Sequence, residues 1–151
     1  MEESIPKEIT DRADIYNEPV EKVLPLLQPI YDMILTSPPY FNLELYTQGQ
    51  QSTATYKDWD SWVKHWLKPT VLGCLAILTI GGTSCWSVKN FKSDKTYPLA
   101  DEVKKIHETA GWHLVKTVKM TGSARMGKDR IQEDKETRSS EEETFCFQRK
   151  N

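Results

Sequence analysis

Ser37-Pro38-Pro39-Tyr40 brings together a hydroxyl, two ring-locked backbone units and an aromatic ring directly after an apolar run, Tyr31 to Thr36. Each proline fixes φ and lacks an N–H, and Pro39 holds Pro38 extended. The carbonyls of this turn and the Ser37 hydroxyl therefore point in set directions, with no local donor competing for them. The chemistry on offer is a group of aimed hydrogen-bond acceptors. Alone, such a tetrapeptide is more often an ordinary extended linker; the strand before it and the residues that flank it favour a pocket.

Other chemically capable side chains do not group in the sequence. His65, His107 and His113 share no ligand spacing, so none is assigned to a metal. Cys74, Cys85 and Cys146 are odd in number and widely spaced, which fits a reduced, cytoplasmic setting with neither a disulfide nor a zinc framework. Gly81-Gly82 has no Gly-Lys-Ser or Gly-x-Gly-x-x-Gly around it and is not a phosphate loop. Lys89, Lys92 and Lys95 read as a solvated face or as a contact for a DNA backbone.

The elements that must position the turn read as an α/β domain over residues 11–120. A polar arm, 1–10, precedes it, and a charged, mobile loop, 121–143, leads to a final strand of the same domain, 144–151. Asp11 to Tyr16 reads as a short strand end, followed by a short helix from Val20 to Leu27. Met33, Ile34 and Leu35 give Tyr31 to Thr36 the continuous apolar character of a central parallel strand. Trp59, Trp62, Val63, Trp66, Leu67 and Thr70 recur at helical spacing, predicting a helix over 56–68 whose tryptophans are core, with Thr55 and Asp58 as a capping pair.

Pro69 should kink or end that helix. Cys74 to Ile80 then reads as a second buried strand, closed by Gly81-Gly82, so that the two strands form a parallel βαβ crossover. Ligands of such sheets bind beyond the strands' carboxyl ends, here Ser37 to Tyr40 and Gly81 to Ser84. A helix from Leu99 to Ala110 between Pro98 and Gly111, a strand from Trp112 to Met120 and an alternating edge strand from Thr144 to Arg149 complete the expected order.

With 151 residues, 38% of them hydrophobic, the chain has enough for one domain with a real core. A net charge of −2 excludes a strongly basic nucleic-acid clamp, so any contact with DNA must be local. No apolar run is long enough to cross a membrane, and no basic-then-apolar leader is visible.

Ser37-Pro38-Pro39-Tyr40 after an apolar strand resembles the signature of the DNA amino-methyltransferases, which methylate the exocyclic nitrogen of cytosine (N4) or adenine (N6). The serine form is more typical of the cytosine enzymes. The resemblance implies an open, mostly parallel Rossmann-like sheet with an antiparallel C-terminal strand, S-adenosylmethionine as cofactor, and a catalytic turn of Ser37, Pro38, Pro39 and Tyr40. Ser37 Oγ and the Pro38 carbonyl would hold the two amine hydrogens and favour a pyramidal nitrogen, while Tyr40 would stack on a base swung out of the duplex. Phe41 to Thr55, rich in amides and hydroxyls, would form a long mobile loop over the pocket, with Phe41 and Tyr46 as stacking surfaces for base or cofactor. Asp14 stands where the family carries an acidic residue beside the cofactor's adenine; capping the following helix is the alternative.

The resemblance also lacks a half. The glycine loop that cradles the methionine part of the cofactor, of the kind Phe-x-Gly-x-Gly, is not present, nor is the strand whose acidic end binds the ribose. Binding of S-adenosylmethionine by this chain alone is therefore expected to be poor, with a second subunit or a homo-oligomer completing the site. The open alternatives are a catalytically inactive methyltransferase-like binding or assembly subunit, a fragment of a longer chain, and RNA in place of DNA.

Overall fold

The computed structural model describes residues 13–43, 52–119 and 142–150. In chain order these form α1 (Val20–Val23) with a 3-10 turn (Leu24–Leu26), β1 (Tyr31–Thr36), and a helical turn α2 (Ser52–Thr55). Next come α3 (Trp59–Trp62), a π-helical turn (Val63–Leu67), α4 (Lys68–Ala76) and β2 (Leu78–Val88). A two-stranded ribbon, β3 (Phe91–Lys92) and β4 (Thr96–Tyr97), precedes α5 (Leu99–Thr109), β5 (Trp112–Lys119) and β6 (Glu143–Arg149). Tyr46, the 1–10 arm and the 121–141 part of the charged loop lie outside the described residues.

The main sheet has the order β1-β2-β6-β5. β1 and β2 are parallel, and β6 runs antiparallel to both β2 and β5, so the sheet is a mixed one within an α/β fold. β1, β2 and β5 point one way and the C-terminal strand β6 runs against them, although β1 and β2 are the single parallel pair among these three ladders. β6 is not an edge: Phe145 and Phe147 carry it into the core between β2 and β5.

β1 has the expected bounds but not the expected place. Among the described residues it is an edge of this sheet, with Met33 54% and Leu35 67% exposed. Its apolar run suits a strand covered on both faces, whereas only one of its faces is packed here. Ile34 and Thr36 lie opposite Ser84 and Trp86, which lie opposite Phe147 and Phe145; directly opposed residues share a face, and this one meets α5 through His107. Met33, Leu35, Thr83, Cys85 and Cys146 belong to the other face.

The second strand begins later than expected. Cys74 to Ala76 close α4, and Leu78 opens β2, because the helix runs through Pro69 instead of stopping there. Proline in a helix removes one backbone donor and crowds the carbonyl four residues back. The π-helical turn just ahead absorbs both effects: the Lys68 N–H bonds to the Val63 carbonyl, five residues back, widening the helix where the ring must fit. Gly81 and Gly82 then form a bulge near the start of β2, opposite the step from Tyr31 to Met33. Gly81 needs its positive φ of 83°, and a Cβ on Gly82 would stand 3.0 Å from the Thr79 carbonyl oxygen. The carboxyl end of β2 is therefore Val88, and Gly81 to Ser84 are not at the ligand-binding edge.

Of the tryptophan stripe, Trp62 is fully buried and Trp66 nearly so, as the spacing indicates, while Trp59 is half-buried against the core. Asp58 caps α3 by accepting from the Ser61 N–H, without Thr55, which ends its own helical turn. Residues 13–17 have no regular structure, so the strand end expected at Asp11 to Tyr16 is not formed by its described part.

Candidate functional site

The loops leaving β1 and β2 emerge side by side at the carboxyl ends of the parallel pair and are tied together. Tyr40 Oη accepts the Lys89 N–H at 3.1 Å, immediately after β2. Asn42 Nδ2 donates to Asp94 Oδ1 at 2.9 Å and to Tyr97 Oη at 3.3 Å, and Tyr97 Oη donates to Asp94 Oδ1 at 2.7 Å. The Tyr97 hydroxyl, followed by the Asn42 amide, holds the Asp94 carboxyl below the usual carboxylate range, and the same carboxylate raises the Tyr97 phenol. Asn90, at the near end of this loop, ties it to α5: its Oδ1 accepts the Ala100 N–H at the start of that helix, and its Nδ2 donates to Asp101 Oδ2.

Within the sequence-predicted turn, Ser37 is exposed, Pro38 buried and Pro39 half-buried. Ser37 thus offers its hydroxyl at the surface, while the Pro38 ring beside it is packed inward. Tyr40 does not offer a stacking platform: it is 7% exposed and meets Phe91 edge-on at 5.2 Å. Phe41 is 4% exposed, enclosed by Trp59, Trp62 and Tyr97 at 5.8, 5.6 and 5.5 Å, so it too is a core residue and not part of a loop surface. Aromatic burial outweighs loop exposure here because two ribbon rings, Phe91 and Tyr97, lie ready to receive both.

Asp14 is exposed in irregular backbone ahead of α1. A cavity of about 510 Å³ lies against Pro19, Val20, Tyr56 and Trp66, and no residue of the 37–41 turn lines it. The sequence pattern singles out Lys89 only as a surface cation, and does not mark Asn42, Asn90, Asp94 or Tyr97. Their partners lie up to 55 positions apart, and no local pattern announces such pairs.

Four of the seven glycines lie among the described residues. Of these, Gly73 packs on Leu24, Gly81 and Gly82 serve the β2 bulge, and Gly111 follows α5 with φ 86°. None forms a cradle at the carboxyl end of a strand. Nor do the described residues contain a cluster of three or more acidic, histidine or cysteine side chains able to hold a metal ion.

The fold has counterparts among solved structures. Three crystal structures of TTHA0409, a candidate DNA modification methylase from Thermus thermophilus, match it with TM-scores of 0.57, 0.57 and 0.58. The chain shares the fold of about half of that candidate methylase. Sequence identity is 17, 16 and 17%, and the match covers 87% of this chain but 50, 50 and 51% of those chains. The first is the selenomethionine derivative, and the second is complexed with S-adenosyl-L-methionine. No protein-family description and no curated protein matches the sequence.

Proposed function

We propose that this chain is the target-amine half of a DNA amino-methyltransferase, acting on cytosine N4 or adenine N6 with S-adenosylmethionine as methyl donor. A second polypeptide supplies the cofactor's glycine cradle. One observation carries this reading: an exposed Ser37 hydroxyl followed by the rigid Pro38-Pro39 turn, at the carboxyl end of β1 beside its parallel partner β2, in a fold shared with a DNA modification methylase.

In this reading Ser37 Oγ and the Pro38 carbonyl accept the hydrogens of the exocyclic amine, turning its lone pair away from the base ring. Tyr40 is the strut that holds the turn against the Lys89 loop, and base stacking falls to another surface. Exposed Lys92 and Lys95 on the same loop supply local phosphate contacts. The edge of β1, unpaired among the described residues, and its exposed Met33 and Leu35 favour a second polypeptide at this strand.

A second reading, a catalytically inactive binding or assembly subunit, is favoured by the enclosure of Tyr40 and Phe41. Two measurements separate them. Calorimetric titration of the isolated chain with S-adenosylmethionine should give little or no heat, and the complex that co-purifies with the chain should bind it. That complex should then transfer labelled methyl groups to duplex DNA; a complex that binds the cofactor but leaves DNA and RNA unlabelled would establish the assembly reading.

A further inference from the structure

Cys85 and Cys146 are 61 positions apart in sequence but directly opposed on β2 and β6, with their sulfurs 2.7 Å apart. Opposed residues of an antiparallel ladder hold their Cα atoms about 4.5 to 5.5 Å apart. That separation lies inside the range of about 4.4 to 6.8 Å that a disulfide spans, so the backbone need not move for a bridge to form. Both thiols are free in this structure. Cys85 is buried, whereas Cys146 is half-buried and reachable from the sheet face that bears Met33 and Leu35. The third cysteine, Cys74, sits in α4, buried and away from this pair.

We propose that Cys85 and Cys146 form a reversible oxidation site that takes a small hydroperoxide and closes to a cross-strand disulfide. Cys146 is the sulfur that reacts first. Its thiolate displaces hydroxide from the peroxide O–O bond, giving a sulfenic acid, with the thiol proton leaving in water. The Cys85 sulfur then attacks the sulfenic sulfur, the S–S bond forms, and the hydroxyl leaves with the Cys85 proton as a second water. The two sulfurs together lose two electrons, and the two peroxide oxygens gain them. Burial, followed by the Cys146 contact, pushes the Cys85 thiol up to about 12, which argues against it as the first nucleophile; its position 2.7 Å from the Cys146 sulfur is what fits it to the second step. The bridge would staple β6 to β2, the strand whose end carries the Lys89 loop.

The test uses the full chain, reduced, freed of reductant and treated with stoichiometric hydrogen peroxide before alkylation and peptide mass mapping. The expected product is one intramolecular cross-linked peptide joining the Cys85 and Cys146 segments, with Cys74 still alkylatable. Dithiothreitol should reverse it, and the oxidised form should unfold at a higher temperature, since a long loop is closed. Cys146→Ser should abolish the cross-link, and Cys74→Ser should leave its yield unchanged. In Cys85→Ala, dimedone should trap a sulfenic acid on Cys146. Over-oxidation of Cys146 without a cross-link, or bridges through Cys74 or between chains, would overturn the assignment.

Discussion

Ser84 Oγ lies 3.0 Å from His107 Nε2 at the fully buried junction of β2 and α5. The imidazole is neutral there: its Nδ1–H donates to the Val103 carbonyl at 2.7 Å, its Nε2 accepts the Ser84 hydroxyl, and Ser84 Oγ accepts the Trp86 indole N–H at 2.8 Å. The ring stacks on Phe147 at 3.9 Å and is closed off from water. Burial therefore brings the His107 pKa from 6.5 down to about 4. The unfolded chain binds this proton more readily, so stability is complete above about pH 6.5 and is lost as pH falls toward 4. The full effect is on the order of 3 kcal/mol. Urea unfolding at pH 7.5, 5.5 and 4.5 should show this decline, and His107→Phe should flatten it over the same window; an unchanged slope in the variant would assign the decline to carboxylates.

Ser37→Ala should leave folding intact, because the side chain is exposed. In the proposed reaction it removes one of two preorganised acceptors, which lowers the single-turnover methyl-transfer rate by roughly 10²-fold. Equal rates for both proteins in the reconstituted complex would make the turn scaffold.

Tyr40→Phe should be felt in stability before it is felt in catalysis. The substitution leaves the part-buried Lys89 N–H without its 3.1 Å acceptor, at a cost of about 1 to 3 kcal/mol. Tyr40→Ala also empties the contact with Phe91 and should cost about 3 to 5 kcal/mol. Thermal unfolding reads both values, and methyl transfer by these variants has to be compared at matched fractions folded.

Leu35→Lys should barely alter stability, within about 0.5 kcal/mol, because the side chain is already 67% exposed. It should reduce self-association of the isolated chain, since an inserted charge blunts an apolar sheet edge. Sedimentation velocity over a concentration series distinguishes the two proteins, and identical profiles would remove β1 as the sticky edge.

Strand bounds and helix faces were legible where the pattern was local. Tyr31 to Thr36 ends at prolines that cannot continue a ladder, Leu99 to Thr109 carries one apolar stripe between Pro98 and Gly111, and Thr144 to Arg149 alternates. Cys74 to Ile80 was misread because a short apolar run fits a buried helix end as well as a strand, and the signals on either side were both deceptive. Pro69 normally breaks a helix but is accommodated by the π turn, while Gly81-Gly82 normally ends a strand but here builds a bulge inside one. Strand order was beyond reach for a different reason: nothing in Thr144 to Arg149 says that it lies between β2 and β5. The same holds for the site, where Ser37 and Pro38 were visible in the sequence but the Asn42, Asp94 and Tyr97 ties were not. The burial of Tyr40 and Phe41 depended on a ribbon some 50 residues away.

The insertion of β6 between β2 and β5 gives the chain a constraint during its own synthesis. β2 and β5 have no ladder with each other; each reaches the other only through β6. While residues 143–149 are still on the ribosome, the chain can pair β1 with β2 and pack α4 against α5, but β5 lacks its partner in this sheet and the places of Phe145 and Phe147 stay empty. The sheet closes only when the last-made of these four strands is threaded into a gap already flanked on both sides. Pairing across this gap therefore waits for β6 to leave the ribosome, with the facing edges of β2 and β5 unpaired until then.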